Sequence, residues 1–226
     1  MTITYKHIDK SFKYDGSQIE PSWAFKSFKI KGSSIITWRG PMNIKEKYLK
    51  DFEDIGLEIK SDDMVHFIVE HFDTQPANLE IAYLRQRLLV MILEEELAKN
   101  KIVSQRKGDD LFIHSKKLTV SIATASISSM KIHLAMNLTS KGTPEDVDTI
   151  GLFELLNGKN KSNNFINHNN DHLNEEKNQI NPINNDNNDN NYFNEENILK
   201  FTDNIVNNYI NELKSIKLDI SKTNVF

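Results

Sequence analysis

The stretch KKLTVSIATASISSMKIHLAMNL, Lys116 to Leu138, alternates with period two. One set of positions carries Leu118, Val120, Ile122, Ile132, Leu134, Met136 and Leu138. That set reads as the core face of two strands. The other carries Lys117, Thr119, Ser121, Ala123, Lys131, His133, Ala135 and Asn137. This second face either meets water or forms the floor of a site. With a connecting loop of about six residues, Ser121 is expected opposite Ala135, Thr119 opposite Asn137 and Ala123 opposite His133. One patch would then run from Lys117 to His133.

The same patterning predicts the other elements. TITYKHI reads as a first strand. A short helix is expected from near Ser17 or Pro21, after turn chemistry at Asp15-Gly16. SSIITWRG reads as a strand stopped by Gly40-Pro41. SDDMVHFIVEHF is expected to be a helix capped at Ser61, with acids in its first turn. The longest helix is expected in PANLEIAYLRQRLLVMILEEELAKN, with Pro76 near its start and a stripe of Leu79, Ala82, Leu89, Ile92 and Leu93. KIVSQR, DDLFIH, KKLTVSIATA and MKIHLAMNLT follow as strands, and GLFELL as one helical turn. Late in the chain, Ile198, Leu199, Phe201, Ile205, Tyr209, Ile210 and Leu213 recur at helical spacing. Strands in blocks beside helices imply an α+β fold with a largely antiparallel sheet.

Composition changes the picture at one place. From 157 to 197 the chain is dominated by Asn, which cannot bury enough apolar surface to offset its ordering entropy. Residues 1–156 plus 198–226 are therefore expected to form a single domain, interrupted by a disordered Asn-rich insertion. His168 and His172 lie in that tract, where nothing predicts a fixed metal geometry. The net charge of -4 gives no support for general nucleic-acid binding. The absence of Cys excludes disulfides, thiolate metal sites and Cys nucleophiles within the chain. No apolar run reaches the ~18–20 residues of a membrane span. The expectation is a cytoplasmic protein without a membrane partner; its oligomeric state is open.

Candidate chemistry is sparse. No GxxxxGK[ST], GxGxxG or GxSxG occurs. In HFIVEH, read as a helix, only His66 and Glu70 share a face, with His71 well round from them. An ordinary amphipathic helix is the plainer reading there. Arg39 at a strand end, before Gly40 and Pro41, is either an anion-binding fork or a surface Arg beside a turn. Lys117 stands at the rim of the small polar face, placed to hold an anionic group, unless a helix covers that face instead.

DDLFIHSKKLTVSIATASISSMKIHLAMNL resembles the central segment of biotin and lipoate protein ligases. Asp109-Asp110 takes the family's Asn-Asp place, Lys117-Leu118 its Lys-Leu place, and HLAMNL the following strand. WRGPMNI, MVHFIVEHFD and GDDLFIHSKKLTVSIATAS carry a second resemblance, to an archaeal family of domains of unknown function. It covers nearly all of the chain outside the Asn-rich tract and brings no activity with it. The ligase resemblance implies a mixed sheet with helices on one side. It further implies a small carboxylic acid as ligand, with ATP and Mg²⁺ for acyl-adenylate chemistry. Lys117 would contact the acid's carboxylate and the adenylate phosphate. Asp110 would hold Mg²⁺ or an acceptor's ammonium, Arg39 and Gly40 would meet anionic groups, and Ser121, His133 and Asn137 would line the acid pocket. The chain departs from the ligases at Val120, where they keep a Gly, and at their Arg-containing Gly-rich loop, reduced here to Arg39-Gly40-Pro41. Two readings stay open: a ligase-like enzyme, and a non-catalytic binding or assembly module of the same fold.

Overall fold

A computed structural model describes residues 2–155 and 197–223. The chain is α+β. Its main sheet has the order β1-β2-β3-β8-β7, built from β1 (Thr4–Ile8), β2 (Ser34–Asn43), β3 (Lys60–His71), β8 (Met130–Asn137) and β7 (Thr119–Ala125). β1 runs parallel to β2 and every other pairing in that sheet is antiparallel. A second sheet joins β4 (Gln105–Lys107), β5 (Asp110–Ile113) and β6 (Lys116–Lys117). His114 and Ser115 both have positive φ between β5 and β6, the geometry of a two-residue hairpin turn whose twist matches the strands.

Two long helices, α2 (Leu79–Lys99) and α3 (Asn197–Ile220), pack on one side of the main sheet. α2 opens at Asn78, whose side chain accepts from the Ile81 amide at 3.0 Å and satisfies one of the helix's free first-turn donors. Ala82, Leu89, Ile92 and Leu93 of its stripe are buried, while Leu79 is exposed. In α3, Ile198, Phe201, Ile205, Tyr209, Ile210 and Leu213 are buried and Leu199 is exposed. The other side of the sheet carries a separate aromatic core of Tyr14, Trp38, Met42, Met64 and Ile68, with Phe12, Trp23 and Phe28 packed against it. The short α1 (Trp23–Phe28) belongs there.

Two expectations are corrected. SDDMVHFIVEHF is not a helix; it is the twelve-residue β3. Strand alternation sends Val65, Phe67 and Val69 to the helix side and Met64 and Ile68 to the aromatic side. Because both faces are covered, the strand shows no polar face, and its run of apolar residues imitates a helix. The second correction concerns β2, which does not stop at Gly40-Pro41. It runs to Asn43 with a register irregularity between Gly40 and Met42. Pro41 lacks an amide proton but its carbonyl accepts from the Tyr14 amide at 2.9 Å. The 157–196 stretch, with His168 and His172, lies outside the described residues.

Gly40 marks a close approach. A Cβ there would lie 2.2 Å from the Phe12 carbonyl oxygen, a backbone atom that cannot swing aside. Gly40→Ala is therefore expected to cost about 1–3 kcal/mol of stability by overpacking. Chemical denaturation checks this; an unchanged midpoint would mean that the Phe12 segment does not rest on β2.

Candidate functional site

The open question about the second face is answered by the register of β7 on β8. The loop is only Ser126 to Ser129, so Val120 faces Ala135, Ser121 faces Leu134 and Ile122 faces His133. The expected pairing is off by one residue, and a one-residue slip exchanges the faces of a strand. Thr119, Ser121 and Ala123 therefore lie on the helix side with Met136, Leu134 and Ile132. Their small size makes room for α2. Val120 and Ile122, expected in the core, instead share the far side with His133 and Asn137.

That far side is the floor of a cavity of about 500 Å³. Tyr14, Met42, Met64, Val120, Ile122 and His133 form its apolar and aromatic bottom. The segment Tyr48 to Glu58 and the loop Thr143 to Thr149 supply further walls. The polar end gathers Asp109, Asp110, Lys117, Asn137 and Arg87. Lys117 Nζ pairs with Asp110 Oδ2 at 2.7 Å, and Arg87 with Asp109 at 2.7 Å. Burial raises the Asp110 carboxyl above its ordinary pKa, against the pull of Lys117. Burial also pushes Asp109 up, but Arg87 and Ser121 outweigh it and the net shift is downward.

Of the residues singled out from sequence, Lys117, Asp110, Ser121, His133 and Asn137 all line this cavity. Ser121 is turned to other work. Its hydroxyl lies 2.9 Å from Asp109 Oδ2 and accepts from Gln86 Nε2 of α2 at 2.7 Å. Asn137 accepts from the Ser61 hydroxyl through Oδ1 at 3.0 Å, and its Nδ2 has no protein partner among the described residues. Arg39 and Gly40 are not brought to the cavity. Arg39 faces the helix side of β2 and holds Asp63 through Nε at 2.9 Å and Nη2 at 2.7 Å, stacked over the Phe153 ring. Gly40 gives its carbonyl to His66 Nε2 at 3.0 Å.

Sequence reasoning did not connect His66 with His133. Read as a strand, β3 places His66 on the cavity side next to β8. His66 Nδ1 lies 3.1 Å from His133 Nε2. The His133 ring stacks on Tyr14 at 3.7 Å between centroids, and His66 on Trp38 at 4.8 Å. Glu70, on the same side, accepts from the Ser22 amide at 2.8 Å and the Ser129 hydroxyl at 2.7 Å. It stands apart from His66 as a structural group. His71 turns to the helix side and bonds the Tyr209 hydroxyl at 3.0 Å. Among the described residues no group of three or more His, Asp or Glu side chains could hold a metal ion, and no helix is long and apolar enough to cross a membrane.

Residues 3–188 match the family described as Domain of unknown function (DUF366). The chain belongs to this DUF366 family. An uncharacterized protein of the archaeon Methanocaldococcus jannaschii is 47% identical over 148 residues, 63% of this chain and 66% of that protein. The match thus spans just under two thirds of the relative's length. A solved structure of a protein of unknown function from Pyrococcus horikoshi is similar at 30% identity and TM-score 0.76, with 100% of both chains covered. A biotin protein ligase from Aquifex aeolicus, solved with biotin and ATP, aligns at 15% identity and TM-score 0.45, over 67% of this chain and 60% of that one. The resemblance to an archaeal family of domains of unknown function, carried by WRGPMNI, MVHFIVEHFD and GDDLFIHSKKLTVSIATAS, therefore stands.

The buried histidines set a pH dependence. Burial lowers His66 from 6.5 to about 4 and His71 to about 3, and lowers His133 well below its usual value. Over that interval the unfolded chain binds more protons than the folded one. The stability these rings contribute is complete above pH 6.5 and is lost as pH falls toward the folded values. Each should add a slope approaching 1.4 kcal/mol per pH unit, roughly, in that window. Denaturation midpoints measured from neutral pH to about pH 5 should fall steeply. A flat profile would show that the rings are not held neutral.

Proposed function

We propose that the cavity binds a small carboxylic acid, with its carboxylate at the Lys117 end and its apolar body along Val120, Ile122, Met64 and Tyr14. The observation that carries this reading is the polarity of the cavity: an apolar floor ending at the Lys117 ammonium and the Asn137 amide. An apolar floor with a cation and an amide donor at its edge orients an amphiphilic ligand, while the walls around it carry further charged side chains such as Lys50, Asp51, Asp54, Glu58 and Lys60. Lys117 is a flexible point charge that can turn from Asp110 to a ligand carboxylate, and the desolvated Asp110 is the readier to take a proton as it does so. The Lys-Leu place of Lys117 in the ligase-like segment points the same way.

That segment extends the reading to activation of the acid with ATP. Two features bear on the extension. Arg39, expected to meet an anionic group, is committed to Asp63. Four cations, Lys50, Lys60, Arg87 and Lys117, line the cavity against seven carboxylates. A triphosphate would meet net negative charge and would need to arrive with a divalent cation, since the protein provides no metal cluster of its own among the described residues. Acid binding is therefore the better supported half, and adenylation stands or falls on its own measurement.

Medium-chain carboxylic acids at a hundredfold excess over Kd should raise the melting temperature by on the order of 5–10 °C. Lys117→Met should abolish the shift, and Lys117→Arg should keep much of it. Pyrophosphate release with ATP and Mg²⁺ present would establish adenylation as well. The same shift in Lys117→Met as in the unaltered protein would overturn the placement.

A further inference from the structure

His66 and His133 sit on adjacent strands, and their rings lie nearly parallel at 5.4 Å between centroids and 18° between planes. Tyr14 covers one and Trp38 the other, so neither ring is free to turn. The protons in this pair follow from an acceptor that has no choice. The Gly40 carbonyl can only accept, so His66 Nε2 carries a hydrogen and donates to it at 3.0 Å. A neutral imidazole has one N–H, which makes His66 Nδ1 a lone pair. That lone pair must accept from His133 Nε2 at 3.1 Å. The His133 hydrogen is then spent, and its Nδ1 is left as an acceptor. His133 is 1% exposed and lines the cavity, and among the described residues Nδ1 has no hydrogen-bonded partner. Nδ1 is not among the fully buried unpartnered atoms, so it is open at the cavity, and an acceptor fixed there favours ligands with a donor to fill it.

We infer that the Gly40–His66–His133 chain fixes His133 Nδ1 as a hydrogen-bond acceptor in the cavity floor, selecting carboxylic acids whose body carries an O–H or N–H donor. This rests on the carboxylic-acid reading above and narrows it. The carboxylate end is held at Lys117, and a second polar contact is made on the floor beside Val120, Ile122 and Met64. His66 is a positioning residue, since it sets which nitrogen of His133 bears the proton and makes no claim on the ligand.

Two measurements test it. In the unliganded full chain, nitrogen NMR of the histidine rings should show His133 protonated at Nε2 and bare at Nδ1, and His66 likewise. A protonated Nδ1 on His133 overturns the inference and leaves the carboxylate reading untouched. Octanoate is then compared with its positional monohydroxy isomers by calorimetry. At least one isomer should bind roughly tenfold more tightly than octanoate. That preference should vanish in His133→Phe, which keeps the stacking on Tyr14, and weaken in His66→Phe, which removes the tautomer lock. Octanoate binding with no isomer preferred overturns the inference alone. Binding of neither acids nor octanediols overturns both readings. Binding of octanediols without binding of acids overturns only the carboxylate placement.

Discussion

Pairing of β3 with β8, from Met64–Asn137 through to His71–Met130, decides which side chains meet on each side of the sheet. These are the central strands, and both of their faces are covered. One register sends Val65, Phe67, Val69, Ile132, Leu134 and Met136 beneath α2 and α3. The same register brings His66 beside His133 and leaves Met64 and Asn137 in the cavity. Helix packing and the chemistry of the floor are thus two consequences of one alignment, because alternation leaves a strand no freedom to adjust one face without the other.

Much of the fold was legible in the sequence for physical reasons. α2 and α3 declare themselves through apolar stripes at helical spacing, and the Asn-rich composition separates them from one another in the chain. β8 alternates cleanly. β3 failed because a strand buried on both faces loses alternation, and its acids at Asp62 and Asp63 resemble the first turn of a helix. Asp63 is in fact the partner of Arg39 across β2 and β3. The slip between β7 and β8 was a matter of loop length, which polarity does not encode in a Ser-rich turn.

The candidate site was legible in its polar end and at His133, and not in the rest of its floor. Lys117, Asp110, His133 and Asn137 lie close in sequence, and the β5–β6 hairpin with β8 brings them together. Tyr14, Met42 and Met64 come from distant segments, so only the tertiary fold assembles them. Arg39 shows the limit of reading a residue by its type. Its neighbours Trp38 and Gly40 face the cavity side, and strand alternation alone sends Arg39 the other way. Ser121 likewise orders Asp109 and Gln86 instead of a ligand.

The proposed ligand floor lies on the far side of the sheet, with its anion-holding end at Lys117. A crystal structure with a medium-chain acid bound addresses it most directly. The carboxylate should lie within hydrogen-bonding distance of Lys117 Nζ and Asn137 Nδ2, with the acid's chain over Val120 and Ile122. An acid bound elsewhere, or a cavity that stays empty at saturating concentration, would rule out a ligand floor ending at Lys117.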